Sequence, residues 1–181
     1  MELIREFAGR ERKFALRFGE ILDLEQACGD GKDPAPIGVI FQRLSMSRFA
    51  ARDVYHTIRL GLIGGGMDAL RAKSLIDDRL SAGAGFMGMA DLALDLLMHV
   101  MAGIEGSETA APERQEPRPL RLSDVAMICQ TLGMTPSDLR QTRYADFVNM
   151  VRGFNAAGKT QVAPMSEDEF AEILAKYEPE T

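Results

Sequence analysis

The stretch Gly153-Phe-Asn-Ala-Ala-Gly158-Lys159-Thr160 spells the glycine-rich phosphate-binding pattern letter for letter. In that arrangement, backbone N–H groups, a helix N-terminus and a lysine cradle the phosphates of a nucleotide. The chemistry needs a buried strand ahead of the loop and a helix that starts at Gly158-Lys159. Tyr144 to Val151 carries helical spacing instead, and Pro164 interrupts the early part of the required helix. The run therefore reads as a glycine-rich helix exit, and no nucleotide is expected there.

The other polar sets read in the same way. Asp91, Asp95 and His99 recur at i, i+4 and i+8, a spacing that lines one ridge of a helix and could offer metal ligands. Carboxylates with one imidazole make an incomplete set, so the expectation is a solvated ridge with an Asp95–His99 interaction. His56, set among Arg52, Asp53 and Arg59, is judged alike. Glu167, Asp168 and Glu169 look like carboxylates paired for acid–base work, yet acids in a first helical turn suit the macrodipole. Glu169 also stands three residues after Ser166, as a capping box requires. Cys28 and Cys129 lie in different segments, which forms neither a disulfide framework nor a zinc spacing. No Ser, Cys or His stands beside a recognisable base. The chain is expected to be no enzyme, with no catalytic residue, metal ligand or cofactor.

Asp124 to Gly133, Met134-Thr135 and Pro136 to Gln141 have the helix, glycine turn, helix rhythm of a DNA-binding motif. Such a motif needs phosphate and base donors on its second helix. Arg140 and Arg143 are offset by Asp138 and Asp146, and the chain carries a net charge of −6, whereas phosphate binding needs a basic face. Two packed helices are expected, with no nucleic-acid partner.

These residues must be positioned by elements that the apolar spacing outlines. Glu2 to Phe18 reads as a β-hairpin turning at Gly9-Arg10, with Phe14, Leu16 and Phe18 on one face of its second arm. The period then changes. Ile21, Leu24 and Cys28 suit a short helix ended by Gly29, and Ile37, Ile40, Phe41 and Leu44 mark a second. Ser47 is placed to cap a third, with Ala51, Val54, Tyr55, Ile58 and Leu62 inward and Gly64-Gly65-Gly66 as its stop. Asp68 can cap a fourth helix that runs to about Leu80. Met87 to Ile104 forms a fifth, whose apolar arc is wider than a surface helix needs, so it is central to the bundle or covered by a partner.

Gly106 to Pro119 has linker composition, and beyond it helical stripes resume at Val125 to Leu132, at Tyr144 to Val151 and from Ser166. The expected fold is α+β and mostly helical: an N-terminal hairpin followed by a helical bundle over 1–105, a linker at 106–119 and a small helical module over 120–181. No apolar run is long enough to cross a bilayer. The expected location is the cytoplasm of a bacterial host.

Phe14-Ala-Leu-Arg-Phe18-Gly19, Leu24-Glu25, Phe41-Gln-Arg-Leu44, Asp53-Val54, Ile58-Arg59 and Leu62-Ile-Gly-Gly-Gly66 occur in an order that resembles the tail assembly chaperones of gene transfer agents and related tailed phages. Leu132 to Leu139, followed by Thr142 and Phe147, resembles the short second module of such proteins. The resemblance implies binding of the tape measure protein's apolar helices, recruitment of tail tube protein, association of many copies, and no cofactor. The partner-facing residues would be Leu94, Met98 and Met101 on the fifth helix and Leu139, Tyr144 and Phe147 in the second module. Two other classes are a structural tail tube or tail-completion subunit and, further off, a helix-turn-helix regulator.

Overall fold

In the computed structural model, which describes residues 2–83, 85–102, 104 and 122–159, the chain opens with β1 (Leu3–Phe7) and β2 (Arg10–Phe14). They pair antiparallel, Leu3 opposite Phe14 and Phe7 opposite Arg10. The turn falls at Ala8-Gly9 rather than Gly9-Arg10. Both residues take positive φ, 53° and 72°, the handedness that matches the twist of a two-residue hairpin. Leu3, Phe7 and Phe14 face inward, and the Phe7 and Phe14 rings meet edge to face at 6.0 Å.

The alternating pattern expected through Phe18 stops at Phe14. Ala15 donates its N–H to the Gly61 carbonyl at 2.9 Å, which draws the chain off the hairpin and onto a helix. Phe18 instead begins α1 (Phe18–Cys28). The helices α2 (Ile37–Ser45), α3 (Ala51–Gly64), α4 (Ala69–Ser81) and α5 (Phe86–Met101) follow.

The starts of α1 to α4 are each set by a carboxylate, whereas α5 follows Gly85 at φ 56° without a side-chain cap. Glu20 accepts the Arg17 N–H at 2.9 Å. Glu25, buried on α1, accepts the Ile37 N–H at 2.8 Å and so ties α2 to its neighbour. Ser47 does not cap α3; it sits at φ 54° in the turn after α2, and Asp53 accepts the Ala50 N–H at 3.0 Å. Asp68 caps α4 as expected, accepting from Leu70 and Arg71.

Gly64 and Gly65 do more than end α3. A Cβ on Gly64 would run into the Ala15 carbonyl, and one on Gly65 into that of Lys13. The hairpin exit crosses the end of α3 at a distance that only glycine permits. The wide apolar arc of α5 is explained by its central place: Met89, Ala90, Ala93, Leu96 and Leu97 are buried, and α5 packs on both α2 and α3.

The remaining elements are α6 (Leu122–Leu132), α7 (Pro136–Gln141) and α8 (Tyr144–Lys159). Thr135 caps α7 by accepting the Asp138 N–H, and Pro136 at its first position suits the missing N–H. The chain divides into two compact units, Met1–Val148 and Asn149–Thr181. Of the second only residues 149–159 are described, and all are helical. The architecture is α+β and mostly helical, an N-terminal hairpin followed by helices and a C-terminal helical part. The linker expected at 106–119 and the helix expected from Ser166 lie outside the described residues.

Within the first unit, α7 packs against α1. Phe18 donates its N–H to the Thr142 carbonyl at 2.9 Å, and its ring lies 4.3 Å from that of Phe147. The Arg140 guanidinium bonds both oxygens of Asp23, at 3.0 and 3.2 Å.

Candidate functional site

Gly153 to Lys159, the phosphate-loop look-alike, lies inside α8. A loop that wraps phosphate needs backbone N–H groups freed from helical bonding, and residues 144–159 form a continuous helix in its place. Thr160 is outside the described residues.

The ridge expected from Asp91, Asp95 and His99 is broken up by tertiary contacts. Asp95 pairs with Arg5 of β1 at 3.5 Å rather than with His99. His99 lines a cleft of about 30 Å³ together with Leu16, Leu96 and Tyr144, and its Nε2 is buried with no hydrogen-bond partner. That space suits about one water molecule. Among the described residues no group of three or more His, Cys, Asp or Glu could hold a metal ion.

Two thiols are present and both are buried. Burial, then the neighbouring Asp53 carboxylate, pushes the Cys28 pKa up to about 12, which keeps it in the unreactive thiol form. Asp53 is itself fully buried and lies 3.6 Å from the Arg43 guanidinium. These groups hold α1, α2 and α3 together. On α7 and at the start of α8 the cations are already matched: Arg140 with Asp23, and Arg143 with Asp146 at 2.6 Å.

The six residues expected to face a partner part into three sets. Leu139 and Phe147 are buried, 1% and 5% exposed, and Phe147 stacks on Phe18. Leu94, Met101 and Tyr144 are half-buried against the main core. Met98 alone of the six stands well exposed, at 47%. The physical reason is that α1 presents Phe18 outward from the bundle, and α7 and α8 cover it.

Spacing along single helices did not reveal a second surface. Ala51, Arg52, Tyr55 and His56 of α3, with Leu80 of α4 and Phe86 of α5, line an open groove of about 540 Å³. Phe49 approaches Phe86 at 6.2 Å between ring centres. Tyr55, expected inside, is half-buried and donates its hydroxyl to Asp77 at 3.2 Å. Burial, then the Arg59 guanidinium, holds the His56 pKa below the ordinary imidazole value. The sequence signal was Leu80 and Phe86, apolar residues at helix ends outside the inward stripes.

Among the described residues no helix is long and apolar enough to cross a membrane. No curated protein and no solved structure matches the chain. Residues 2–103, from the hairpin through α5, match the family model described as phage tail tube protein, GTA-gp10. The match spans more than half of the sequence and coincides with the hairpin and the five helices whose packing has just been described, so the chain belongs to that family of gene-transfer-agent tail proteins.

Proposed function

We propose that this protein is a non-enzymatic structural subunit of a phage-like tail, acting in the tube or its completion through contacts with other tail proteins and with further copies of itself. The family match over residues 2–103 carries this reading. The side-chain chemistry supports it, since Arg140 of the helix-turn-helix look-alike and Asp95 of the expected ridge are held in ion pairs and Cys28 stays a protonated thiol. Assembly would take place in the host cytoplasm.

A second reading, the tail assembly chaperone that covers the tape measure protein and recruits tube protein, is favoured by one observation. Met46, Met87, Met98 and Met127 are all about half exposed or more, and flexible thioethers suit a surface that grips varied apolar helices and lets go. A chaperone would leave before the particle matures, whereas a subunit stays. Mass spectrometry of purified particles separates the two. The subunit reading expects the chain in many copies per particle. Its absence from particles, together with recovery on the tape measure protein when the two are co-expressed, would replace that reading with the chaperone.

A further inference from the structure

We propose that the groove between α3, α4 and α5 is a docking site for an amphipathic helix whose apolar stripe is flanked by carboxylates. The floor is apolar and open, made by Ala51, Tyr55, Leu80 and Phe86. Its open volume is about 540 Å³. The lining residues all belong to helices, so there is no strand edge here for an extended peptide to extend. A helix laid in the groove, with anchors at i, i+3, i+4 and i+7, is the mode that fits.

Charge selects the flank of that helix. Arg52 lines the groove, and Arg59 stands close enough to His56 to depress its pKa. Neither arginine forms an ion pair among the described residues, and the Arg59 Nε is buried without a hydrogen-bond partner. The nearby acids are already engaged. Asp77 takes Lys73 at 2.6 Å and the Tyr55 hydroxyl, and Asp53 is buried against Arg43. An acidic protein, of net charge −6, thus places two arginines beside an apolar floor without a close ion pair, Arg52 lining the groove and Arg59 further along α3. Asp30 and Asp77 feel them only at longer range. Carboxylates on a docked helix would complete those pairs with partial desolvation, where charge-assisted bonds are strongest.

The inference rests on the proposed assembly role only in expecting such a helix on another tail protein. Two synthetic helical peptides provide the probe. They share one leucine stripe and differ in having glutamates or lysines beside it. Fluorescence anisotropy measures their binding to the full chain and to Arg52→Glu and Leu80→Glu, whose folding is checked by circular dichroism and urea unfolding. Both side chains are exposed, so both variants should fold.

The glutamate peptide should bind at least about tenfold more tightly than the lysine peptide. Arg52→Glu should narrow or reverse that preference, and Leu80→Glu should abolish binding of both. Equal affinity for the two peptides, no binding of either, or binding untouched by Leu80→Glu would overturn the proposal. So would self-association of the chain alone that Leu80→Glu abolishes, because the groove would then belong to a second copy. None of these outcomes depends on whether the protein is found in particles.

Discussion

Glu25 shows how a single buried carboxylate can serve architecture and leave a mark on stability. It closes the first turn of α2 by accepting the Ile37 N–H, yet burial raises its pKa above the ordinary 4.5, with that hydrogen bond opposing. The folded state therefore holds the proton to higher pH than the unfolded chain does. Below 4.5 both states are protonated and the site costs nothing. As pH rises from 4.5 through the raised value, stability falls, and above it the full penalty remains. Glu25→Gln keeps an acceptor for Ile37 and removes the charge, so it should flatten this part of the profile in urea midpoints measured from pH 4.5 toward neutrality. An unchanged slope would assign the effect to other groups. Cys28 makes a second residue-scale test. With its pKa pushed up to about 12 and no exposed surface, a Cys129→Ser chain should react with a thiol reagent at mildly alkaline pH only as fast as it unfolds. Rapid labelling under native conditions would contradict the burial.

At the scale of elements, the hairpin carries the clearest expectation. Phe14 is fully buried against Phe7 and α3, so Phe14→Ala should cost about 3–5 kcal/mol. Lys13, next in sequence and paired with Glu2 on the surface, should change stability by no more than about 0.5 kcal/mol when made alanine. Similar urea midpoints for the two variants would mean that the strand faces the other way. Much of this was legible in the sequence, because the periods of 2 and 3.6 report which face is apolar: α2, Val54, Ile58 and Leu62 of the α3 stripe, the Asp68 cap and the central α5 are all visible in it, whereas Ala51 and Tyr55, expected inward, lie exposed and half-buried along the groove. The strand end at Phe14, the start of α3 at Ala51 and the turn at Ala8-Gly9 were not legible. Each is decided by a contact or a backbone conformation outside the local pattern, such as the Ala15 N–H on Gly61 or positive φ at an alanine. The groove was illegible for the same reason, since its six lining residues come from three helices. The inward side of Leu139 and Phe147 was illegible too, because it depends on Phe18 lying opposite.

For the whole molecule, the question is how much of it the family region can hold together alone. The buried members of the main hydrophobic cluster run from Leu3 to Leu97, all within residues 2–103. Phe18, Leu139 and Phe147 are buried outside that cluster, where the later helices meet α1. We therefore expect residues 1–105 to fold alone with a cooperative transition, at a cost. Removing α7 and α8 bares Phe18 and dissolves the Arg140–Asp23 pair; the ring accounts for roughly 1.5–3 kcal/mol, and the exposed ion pair adds little. Phe147→Ala in the full chain should lower stability as well, since it empties the space opposite Phe18 without deleting the rest of the interface. Urea unfolding of the fragment, the variant and the full chain, followed by circular dichroism and by dye binding to exposed apolar surface, provides the comparison. A fragment that lacks a cooperative transition would show that α1 needs the later helices in order to fold. A fragment as stable as the full chain would show that the Phe18–Phe147 contact contributes nothing net, and that the C-terminal part of the first unit is held there for its surface rather than its support.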